Sequence, residues 1–274
     1  MKQITGQPYA EVIGNPVKHS KSPLIHRFWL NRLGIDADYR IAEISADGLA
    51  DYFAERREDP DWMGCNITIP HKIAALDHVA DPGGVRDTIG AINTVFRGED
   101  GLLTGTNTDA AGFWAPIAER NWSGRHAIVI GSGGAARAVL FALARGGIGE
   151  VTMVARNPLK AMGLLAHFGL KGGVQAMDVK LPAAHLLINA SPLGMSGQEP
   201  LALDLEPLKR GALVYDLVYK PVETALLRQA EDRELEVVDG LSMLVAQAAF
   251  AFELFFGEAA PEEGQEALFE KLTA

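Results

Sequence analysis

Short apolar runs alternate along the chain with longer segments whose apolar residues recur every three or four positions. One run at 127–130 is rich in β-branched residues, which predicts a strand buried on both faces of a parallel sheet. A turn crowded with glycine and a helical pattern up to Ala144 follow this run, and a second apolar run begins at Val151. These segments form a predicted βαβ unit.

The same alternation predicts an α/β fold for the rest of the chain. Further strands are predicted at 9–14, 38–44, 62–69, 185–189, 212–216 and 235–238, and segments 90–95 and 101–109 are predicted to pair as a hairpin. Helices are predicted at 24–30, 47–57, 110–120, 223–233 and 241–256. A chain of 274 residues is long enough for two modest domains. We therefore predict two α/β domains, of which the glycine-rich one has a doubly wound sheet.

The turn after the run at 127–130 has the spacing of a dinucleotide-binding loop. Gly131, Gly133 and Ala136 follow the pattern G-x-G-x-x-A, in which the small last residue allows close packing of helix and strand. Without Cβ atoms, the two glycines would let backbone N–H groups approach a pyrophosphate at the positive end of the helix dipole. A tight turn with no ligand would use the same residues, but the second strand at βαβ distance favours the dinucleotide.

The residues after the second strand indicate which dinucleotide is bound. NAD-binding domains place an acidic residue about 20 positions after the glycine turn, whereas an Arg there accommodates the 2′-phosphate of NADP. This chain has Arg156 at that point, followed by Lys160, and no Asp or Glu stands between Val151 and Lys160. The pattern favours NADP over NAD, although a solvated arginine after a strand is a common alternative.

The composition limits which classes of partner and which cellular compartment we expect. A formal net charge of −10 and an isoelectric point near 5.2 disfavour nucleic acids and anionic membrane surfaces, since either partner requires a clustered basic face. Cys65 is the only cysteine, so no internal disulfide can form, and we expect it to be a small buried residue. Residues 1–8 have no signal-peptide core, and no run of about 18 apolar residues marks a membrane helix. We therefore expect a cytoplasmic protein.

Polar residues that follow the predicted strands of the first domain are candidates for a small-molecule site. Ser22 before Pro23 is typical of a helix N-cap, so capping is the alternative to ligand binding at Ser22, whereas Ser20 lies too early to cap that helix. Asp109 and Thr108 are likewise candidates to cap the helix that follows them. The histidines lack the close spacing of a zinc site, and we predict no metal.

A second polar cluster lies at the end of the predicted strand at 62–69. Asn66 and Thr68 share one face of this strand by its period of two, and Pro70 is predicted to open a short helix that carries Lys72 near its N-terminus. The positive end of the helix dipole would destabilise the Lys72 ammonium and favour transfer of its proton. An exposed lysine without such a role is the alternative.

Four motifs that contain these residues resemble those of the shikimate dehydrogenase family. The pattern H-S-x-S-P-x-x-H occurs at 19–26, N-x-T-x-P-x-K at 66–72, G-A-x-N-T at 90–94 and G-x-N-T-D at 105–109. The likeness continues through 189–195, 216–221 and 240–247, so that it covers nearly the whole chain.

The resemblance implies reversible, NADPH-dependent reduction of 3-dehydroshikimate to shikimate in aromatic amino acid biosynthesis. It implies that Lys72 and Asp109 form the catalytic pair, with Lys72 as the proton donor and acceptor, and that Ser20 and Ser22 bind the substrate carboxylate. The other substrate-binding residues that it implies are Asn66, Thr68, Asn93, Tyr219 and Gln247. A positioned ammonium would stabilise negative charge that develops on the carbonyl oxygen, and the carboxylate beside it would hold the ammonium in place.

The resemblance also implies a set of NADP-binding residues and the bounds of the domains. The cofactor-binding residues are Gly131, Ser132, Gly133, Gly134, Ala135, Ala155, Arg156, Asn157, Lys160, Ser191, Leu217 and Gly240. Residues 1–108 and 241–274 would form the substrate-binding domain, to which the C-terminal helices return, and 109–240 would form a Rossmann NADP-binding domain. Within the motifs, Ala155-Arg156-Asn157 replaces the family's N-R-T, Arg27 replaces an Asn, and Ser191 replaces a Thr but keeps the hydroxyl.

Two alternative functions share these motifs. A related enzyme could prefer quinate or accept it beside shikimate, because the sequence does not show whether the pocket has room for the extra hydroxyl. An NADP-binding sensor without activity is the other alternative, but a sensor would have no need for both Lys72 and Asp109. The expected partners are therefore a small-molecule substrate and NADP, for a chain that is a monomer or a homodimer.

Overall fold

The protein consists of two compact α/β units. The computed structural model describes residues 6–274. One unit combines the chain up to Thr108 with Val245–Ala274, and the other is Asp109–Leu244. Residues 1–5, which begin both the predicted first domain and the segment without a signal-peptide core, lie outside the described residues. Within 6–274, no helix combines the length and the apolar character needed to cross a lipid bilayer.

The helices and strands follow one another in the alternation that the sequence predicts. The strands are β1 (Tyr9–Gly14), β2 (Asp38–Glu43), β3 (Trp62–Ile67), β4 (Thr94–Arg97), β5 (Leu103–Thr106), β6 (His126–Ile130), β7 (Glu150–Val154), β8 (Gly172–Gln175), β9 (Leu186–Asn189), β10 (Leu213–Asp216) and β11 (Glu236–Val238). The helices are α1 (Ser22–Leu33), α2 (Leu49–Glu58), α3 (Val85–Thr88), α4 (Asp109–Trp114), α5 (Gly134–Arg145), α6 (Pro158–His167), α7 (Ala225–Glu231), α8 (Gly240–Phe256) and α9 (Gln265–Thr273). Short 3-10 helices occupy Ala74–His78 and Ala115–Ile117.

The sheet of the first unit has the strand order β2-β1-β3-β4-β5. β1 lies parallel to both β2 and β3, whereas β4 is antiparallel to β3 and pairs with β5 as the predicted hairpin. Helix α8 packs closely on this sheet, because a Cβ at Gly64 in β3 would lie only 2.4 Å from the ring of Phe255. The neighbouring Cys65 is fully buried, as predicted, and this burial raises the pKa of its thiol well above the ordinary value.

The sheet of the second unit is parallel throughout, with the strand order β11-β10-β9-β6-β7-β8. Numbered within the unit, this order is 6-5-4-1-2-3, which is that of a doubly wound dinucleotide-binding domain. The first of these strands, β6, has fully buried apolar residues because it lies in the middle of the sheet. The predicted α/β fold with a doubly wound sheet is therefore confirmed.

Two predicted helices differ from those in the structure. The helix predicted at 110–120 ends at Trp114 and continues as a 3-10 turn that contains Pro116, a residue without the N–H that a longer helix needs. The short helix predicted from Pro70 does not form, since residues 70–73 are turns and the 3-10 helix begins at Ala74. Strand β8, whose first two residues are glycines, was not predicted, and neither were helices α3, α6 and α9.

A buried ion pair connects the first strand of the first unit to helix α2. The carboxylate of Glu11 in β1 accepts hydrogen bonds at Oε1 from Arg56 Nε at 2.7 Å, the Tyr52 hydroxyl at 2.9 Å and Trp62 Nε1 at 3.1 Å. The Glu11 side chain is 3% exposed and that of Arg56 is 21% exposed. Loss of the guanidinium would therefore leave a buried carboxylate without its counter-charge.

We predict that Arg56→Met lowers the free energy of unfolding by about 3 kcal/mol, the usual result of removing one partner of a buried pair. Urea-induced unfolding followed by circular dichroism measures this loss. The matched control is Arg40→Met, which removes an exposed ion pair with Asp38 in the same unit. The control should change stability by about 1 kcal/mol or less, and similar losses for the two variants would contradict the prediction.

Candidate functional site

The glycine turn of the second unit has a backbone shape that only glycine fits. Gly131 follows β6 with a φ of +106°, a conformation that other residues rarely adopt. A Cβ on Gly131 would also lie 2.8 Å from the carbonyl oxygen of Ala190, in the segment that follows β9. The turn and the end of β9 are thus in close contact, and the first glycine of the motif is required by this contact.

The second glycine of the motif has a different environment. A Cβ on Gly133 would meet no other atom within 4 Å, so protein packing does not require glycine at this position. Helix α5 begins at Gly134, and its first N–H groups have no partners within the helix. Ala136 is fully buried, so its small side chain allows the close approach of α5. Open backbone at a helix N-terminus fits an anionic group such as a pyrophosphate.

The segment after β7 places two basic residues at the surface. Arg156 and Lys160 are exposed, whereas Ala155 is buried. The Asn157 side chain accepts a hydrogen bond from the backbone N–H of Lys160 at 3.0 Å and thereby caps α6. Asn157, a predicted cofactor-binding residue, therefore has a structural role in the helix.

A buried polar cluster holds the ends of β9 and β10 in the second unit. Asn189 Nδ2 donates to Asp216 Oδ1 at 2.9 Å, and the Asn189 oxygen accepts from the Ser191 hydroxyl at 2.7 Å. The Thr224 hydroxyl donates to Asp216 Oδ2 at 2.7 Å and caps α7. Burial raises the pKa of Asp216, and the hydrogen bonds that it accepts oppose this rise. The cluster fixes the loop that carries Ser191, one of the predicted cofactor-binding residues.

Two further predicted cofactor-binding residues meet beyond β10. Leu217 directly follows this strand, and Gly240 begins α8. A Cβ on Gly240 would lie 2.5 Å from the carbonyl oxygens of both Leu217 and Val218. Glycine at 240 is therefore required for the close approach of the start of α8 to the segment after β10.

In the first unit, predicted substrate-binding residues are joined by buried hydrogen bonds. Asn66 Nδ2 donates to Thr94 Oγ1 at 3.1 Å, and Thr94 Oγ1 donates to Asn93 Oδ1 at 3.1 Å. Asn93 Nδ2 in turn donates to Thr108 Oγ1 at 2.9 Å and to Gln247 Oε1 at 3.2 Å. The structure thus brings together Asn66, Asn93 and Gln247 from three separate motifs.

The start of α1 differs from the predicted capping arrangement. Ser22 is the first residue of α1 and is buried, while Lys21 occupies the N-cap position without a side-chain hydrogen bond to the helix. Ser20 Oγ accepts a hydrogen bond from the backbone N–H of Ser22 at 3.2 Å. Ser20 lies before the N-cap position, as expected, whereas the alternative of Ser22 as the N-cap is wrong.

Thr68 and Lys72 lie in the turns that follow β3, and both are half-buried. The Lys72 carbonyl accepts a hydrogen bond from the Ile92 N–H at 2.8 Å, which fixes the backbone of the turn. His71 between them is buried, and its Nε2 lies 2.6 Å from the Ile44 carbonyl oxygen. No regular helix begins at Pro70, so the prediction that a helix dipole acts on Lys72 is wrong.

The two remaining predicted residues belong to the second unit. Asp109 is the first residue of α4 and is buried, with 5% of its surface exposed. Tyr219 is half-buried, and this burial raises the pKa of its phenol. The neighbouring Thr108, in the first unit, uses its hydroxyl in contacts with Asn93 and Gln247.

Several buried polar residues of these clusters were not identified from the sequence. Tyr39, Thr94 and Thr108 belong to the network of the first unit, and Asp216 and Thr224 to that of the second. Thr94, Thr108 and Asp216 lie within the quoted motifs, so their position in those motifs could have identified them as site residues. Tyr39 lies in β2, where an aromatic residue is usual, and only the fold shows that its hydroxyl reaches Asn66.

The fold and the glycine turn together define the class of the second unit. Its strand order, the turn after the first strand and the open helix N-terminus are those of a Rossmann dinucleotide-binding domain. The residues present fit a dinucleotide, because Gly133 leaves its backbone accessible and a basic residue follows the second strand.

Sequence comparison then gives the family. The model described as "Shikimate dehydrogenase substrate binding domain" matches residues 12–95, and "Shikimate 5'-dehydrogenase C-terminal domain" matches 240–264. The shikimate dehydrogenase (NADP(+)) of Sphingopyxis alaskensis is 61% identical over 266 residues, which is 97% of each chain. That of Sinorhizobium medicae is 42% identical over 256 residues, 91% of this chain and 89% of its own. The chain therefore belongs to the shikimate dehydrogenase family, as its motifs predicted.

Solved structures have the same fold. Shikimate 5-dehydrogenase from Thermus thermophilus, in complex with NADP(H) and shikimate, is 36% identical and superposes with a TM-score of 0.84 over 97% of this chain and 99% of its own. The 5-ketofructose reductase of a Gluconobacter strain is 29% identical, with a TM-score of 0.87 over 97% of this chain and 99% of its own. Enzymes with two different named substrates therefore share this fold.

We predict that Gly131→Ala destabilises the protein, whereas Gly133→Ala does not. The first variant would force a residue with a Cβ into a positive φ and against the Ala190 carbonyl, at a cost of about 1–3 kcal/mol. The second adds a methyl group with no close neighbour, at a φ of −87° that alanine readily adopts. Thermal unfolding of the two variants measures the contrast, and equal melting temperatures would contradict the prediction.

Proposed function

We propose that the protein catalyses the reversible, NADPH-dependent reduction of 3-dehydroshikimate to shikimate, a reaction of aromatic amino acid biosynthesis. The observation that carries this proposal is the 61% identity with a shikimate dehydrogenase (NADP(+)) over 97% of both chains. The buried network that joins Asn66, Asn93 and Gln247 supports it, because these residues come from motifs that the family resemblance assigns to substrate.

Polar side chains of the family motifs would bind the substrate. The hydroxyls of Ser20 and Ser22 would donate hydrogen bonds to the carboxylate. The site would be completed by Asn66, Thr68, Asn93, Tyr219 and Gln247. Amide and hydroxyl groups suit the hydroxyls of a polyol because each can donate or accept a hydrogen bond. The existing hydrogen bonds among Asn66, Asn93 and Gln247 restrict their side chains before the substrate arrives, which lowers the entropy lost on binding.

The cofactor would be held by the second unit. The turn from Gly131 to Ala135 would bind the pyrophosphate, and Arg156 with Lys160 would bind the 2′-phosphate. Ala155, Asn157, Ser191, Leu217 and Gly240 would contribute the remaining contacts, chiefly through their backbone because the Asn157 side chain already caps α6. When bound, the cofactor supplies or accepts the hydride.

Lys72 and Asp109 would perform the proton transfer. The Lys72 Nζ would donate a proton to the substrate oxygen during reduction and take it back during oxidation. The Asp109 carboxylate would hold a substrate hydroxyl and keep the ammonium in place. One observation supports the role of Lys72 as proton donor: its backbone is fixed by the hydrogen bond from the Ile92 N–H.

The remaining assignments are proposals of the same kind. Residues 1–108 with 241–274 would be the substrate-binding domain and 109–240 the NADP-binding domain. The protein would act in the cytoplasm, as a monomer or a homodimer, without nucleic acid, membrane or metal as a partner.

Initial rates test the proposed reaction. Shikimate, quinate and 5-ketofructose would each be assayed in their respective reaction directions with the NADP and NAD forms of the cofactor. The proposal requires shikimate with NADP to give the highest kcat/KM. A higher value for quinate would favour the alternative activity, and a higher value for 5-ketofructose would place the chain beside its Gluconobacter neighbour in specificity.

We predict that Arg156→Ala raises the KM for NADP by about tenfold or more and changes the KM for NAD much less, since the guanidinium would bind a phosphate that NAD lacks. Arg145→Ala is a matched control, because it removes an exposed arginine at the opposite end of α5 from the glycine turn. Equal losses with the two cofactors would show that Arg156 does not select NADP.

We predict that Lys72→Ala lowers kcat by about 10²–10⁴-fold, the usual contribution of a general acid, with little change in the KM for NADP. An interaction made only in the transition state lowers kcat and kcat/KM together, so the KM for shikimate should change much less than kcat. Lys271→Ala, an exposed lysine of α9, serves as the control.

The pair is tested by combining Lys72→Ala with Asp109→Asn. If the two residues form one proton-transfer unit, the double variant should be little slower than the slower single variant. Fully multiplicative losses would mean that Lys72 and Asp109 act independently.

A further inference from the structure

A stacked pair of rings lies in the core of the first unit. His26, which ends the motif at 19–26, and Tyr39 of β2 are both fully buried, and their ring centroids are 4.0 Å apart with an interplanar angle of 7°. Burial lowers the pKa of His26 to about 3, so the imidazole is neutral at physiological pH. Among the described residues, neither ring nitrogen of His26 has a hydrogen-bond partner, so the ring acts here as a flat packing surface.

Further aromatic residues enclose this pair. Trp29 of α1 packs edge-on against His26 with centroids 5.7 Å apart, and Phe252 and Phe255 of α8 lie 5.9 Å and 6.0 Å from the same ring. The Tyr39 ring therefore packs against residues of two helices, His26 of α1 and Phe255 of α8. A ring held in this way places its hydroxyl oxygen at a defined point.

The Tyr39 hydroxyl contacts one predicted substrate-binding residue. It donates a hydrogen bond to Asn66 Oδ1 at 2.6 Å. Tyr39 lies in β2 and Asn66 in β3, so the phenol connects the two strands that lie on either side of β1. The bond to Asn66 Oδ1 also fixes which way the amide faces, because Nδ2 then points to Thr94 and the rest of the network.

We infer that Tyr39, packed on the ring of His26, is a positioning residue that holds Asn66 in place for the substrate. The inference rests on the proposed function, in which Asn66 contacts the substrate. Tyr39 itself acts through Asn66. Without the phenol oxygen, the Asn66 amide could rotate, and substrate binding would have to restrict it.

The test is Tyr39→Phe, which keeps the ring and its packing and removes only the hydroxyl. The KM for shikimate should rise by about three- to tenfold, the effect of about one hydrogen bond, while kcat and the KM for NADP change less than about twofold. The matched control is Tyr52→Phe, because Tyr52 is another buried tyrosine of this unit and its hydroxyl donates to Glu11 at 2.9 Å, away from Asn66. The control should lose stability without a change in the KM for shikimate.

A double variant separates positioning from a general loss of stability. If Tyr39 acts through Asn66, then adding Tyr39→Phe to Asn66→Ala should raise the KM for shikimate by less than the product of the two single effects. Fully multiplicative effects would overturn the inference, as would a Tyr39→Phe variant whose KM equals that of Tyr52→Phe.

Failure of this inference is distinguishable from failure of the proposed function. If Asn66→Ala raises the KM for shikimate and Tyr39→Phe does not, the substrate role of Asn66 stands and the positioning role of Tyr39 is wrong. If Asn66→Ala leaves the KM for shikimate unchanged, the proposed substrate role of Asn66 is itself wrong, and the positioning role is overturned with it.

Discussion

The hydrogen bonds of one buried amide determine how the first unit is assembled. Asn93 Nδ2 donates to Thr108 Oγ1 and to Gln247 Oε1, which lies 154 positions further along the chain. A buried amide that lost these partners would cost stability, so the bonds specify how α8 is placed on the sheet. The first unit consequently requires residues from 245 onward, and its fold depends on contacts of high sequence separation.

Much of the fold follows from local patterns, and the site follows from them only in part. The apolar runs and the glycine turn predict β6, α5 and β7 because strand burial and a positive φ leave clear marks in the sequence. The helix expected after Pro70 was wrong, since proline at a first helical position permits a helix without requiring one. The role inferred for Tyr39 could not be predicted because its partner, Asn66, lies 27 positions after it in the sequence.

The two units use buried polar residues in a similar way at the ends of their strands. In the second unit, Asn189 and Asp216 connect β9 to β10 and position the loop of Ser191. The Asp216 carboxyl group carries an electrostatic cost, because burial disfavours its charged form and raises its pKa. The uncharged amides and hydroxyls of the first unit avoid that electrostatic cost.

The environment of Cys65 determines how the protein responds to electrophiles. A fully buried thiol whose pKa is raised stays protonated, and only the thiolate is an effective nucleophile. Alkylating reagents should therefore react with this single cysteine only when β3 becomes exposed through opening of the sheet. The rate of that reaction would report the opening free energy of the first unit alone, with no cysteine in the second unit to obscure it.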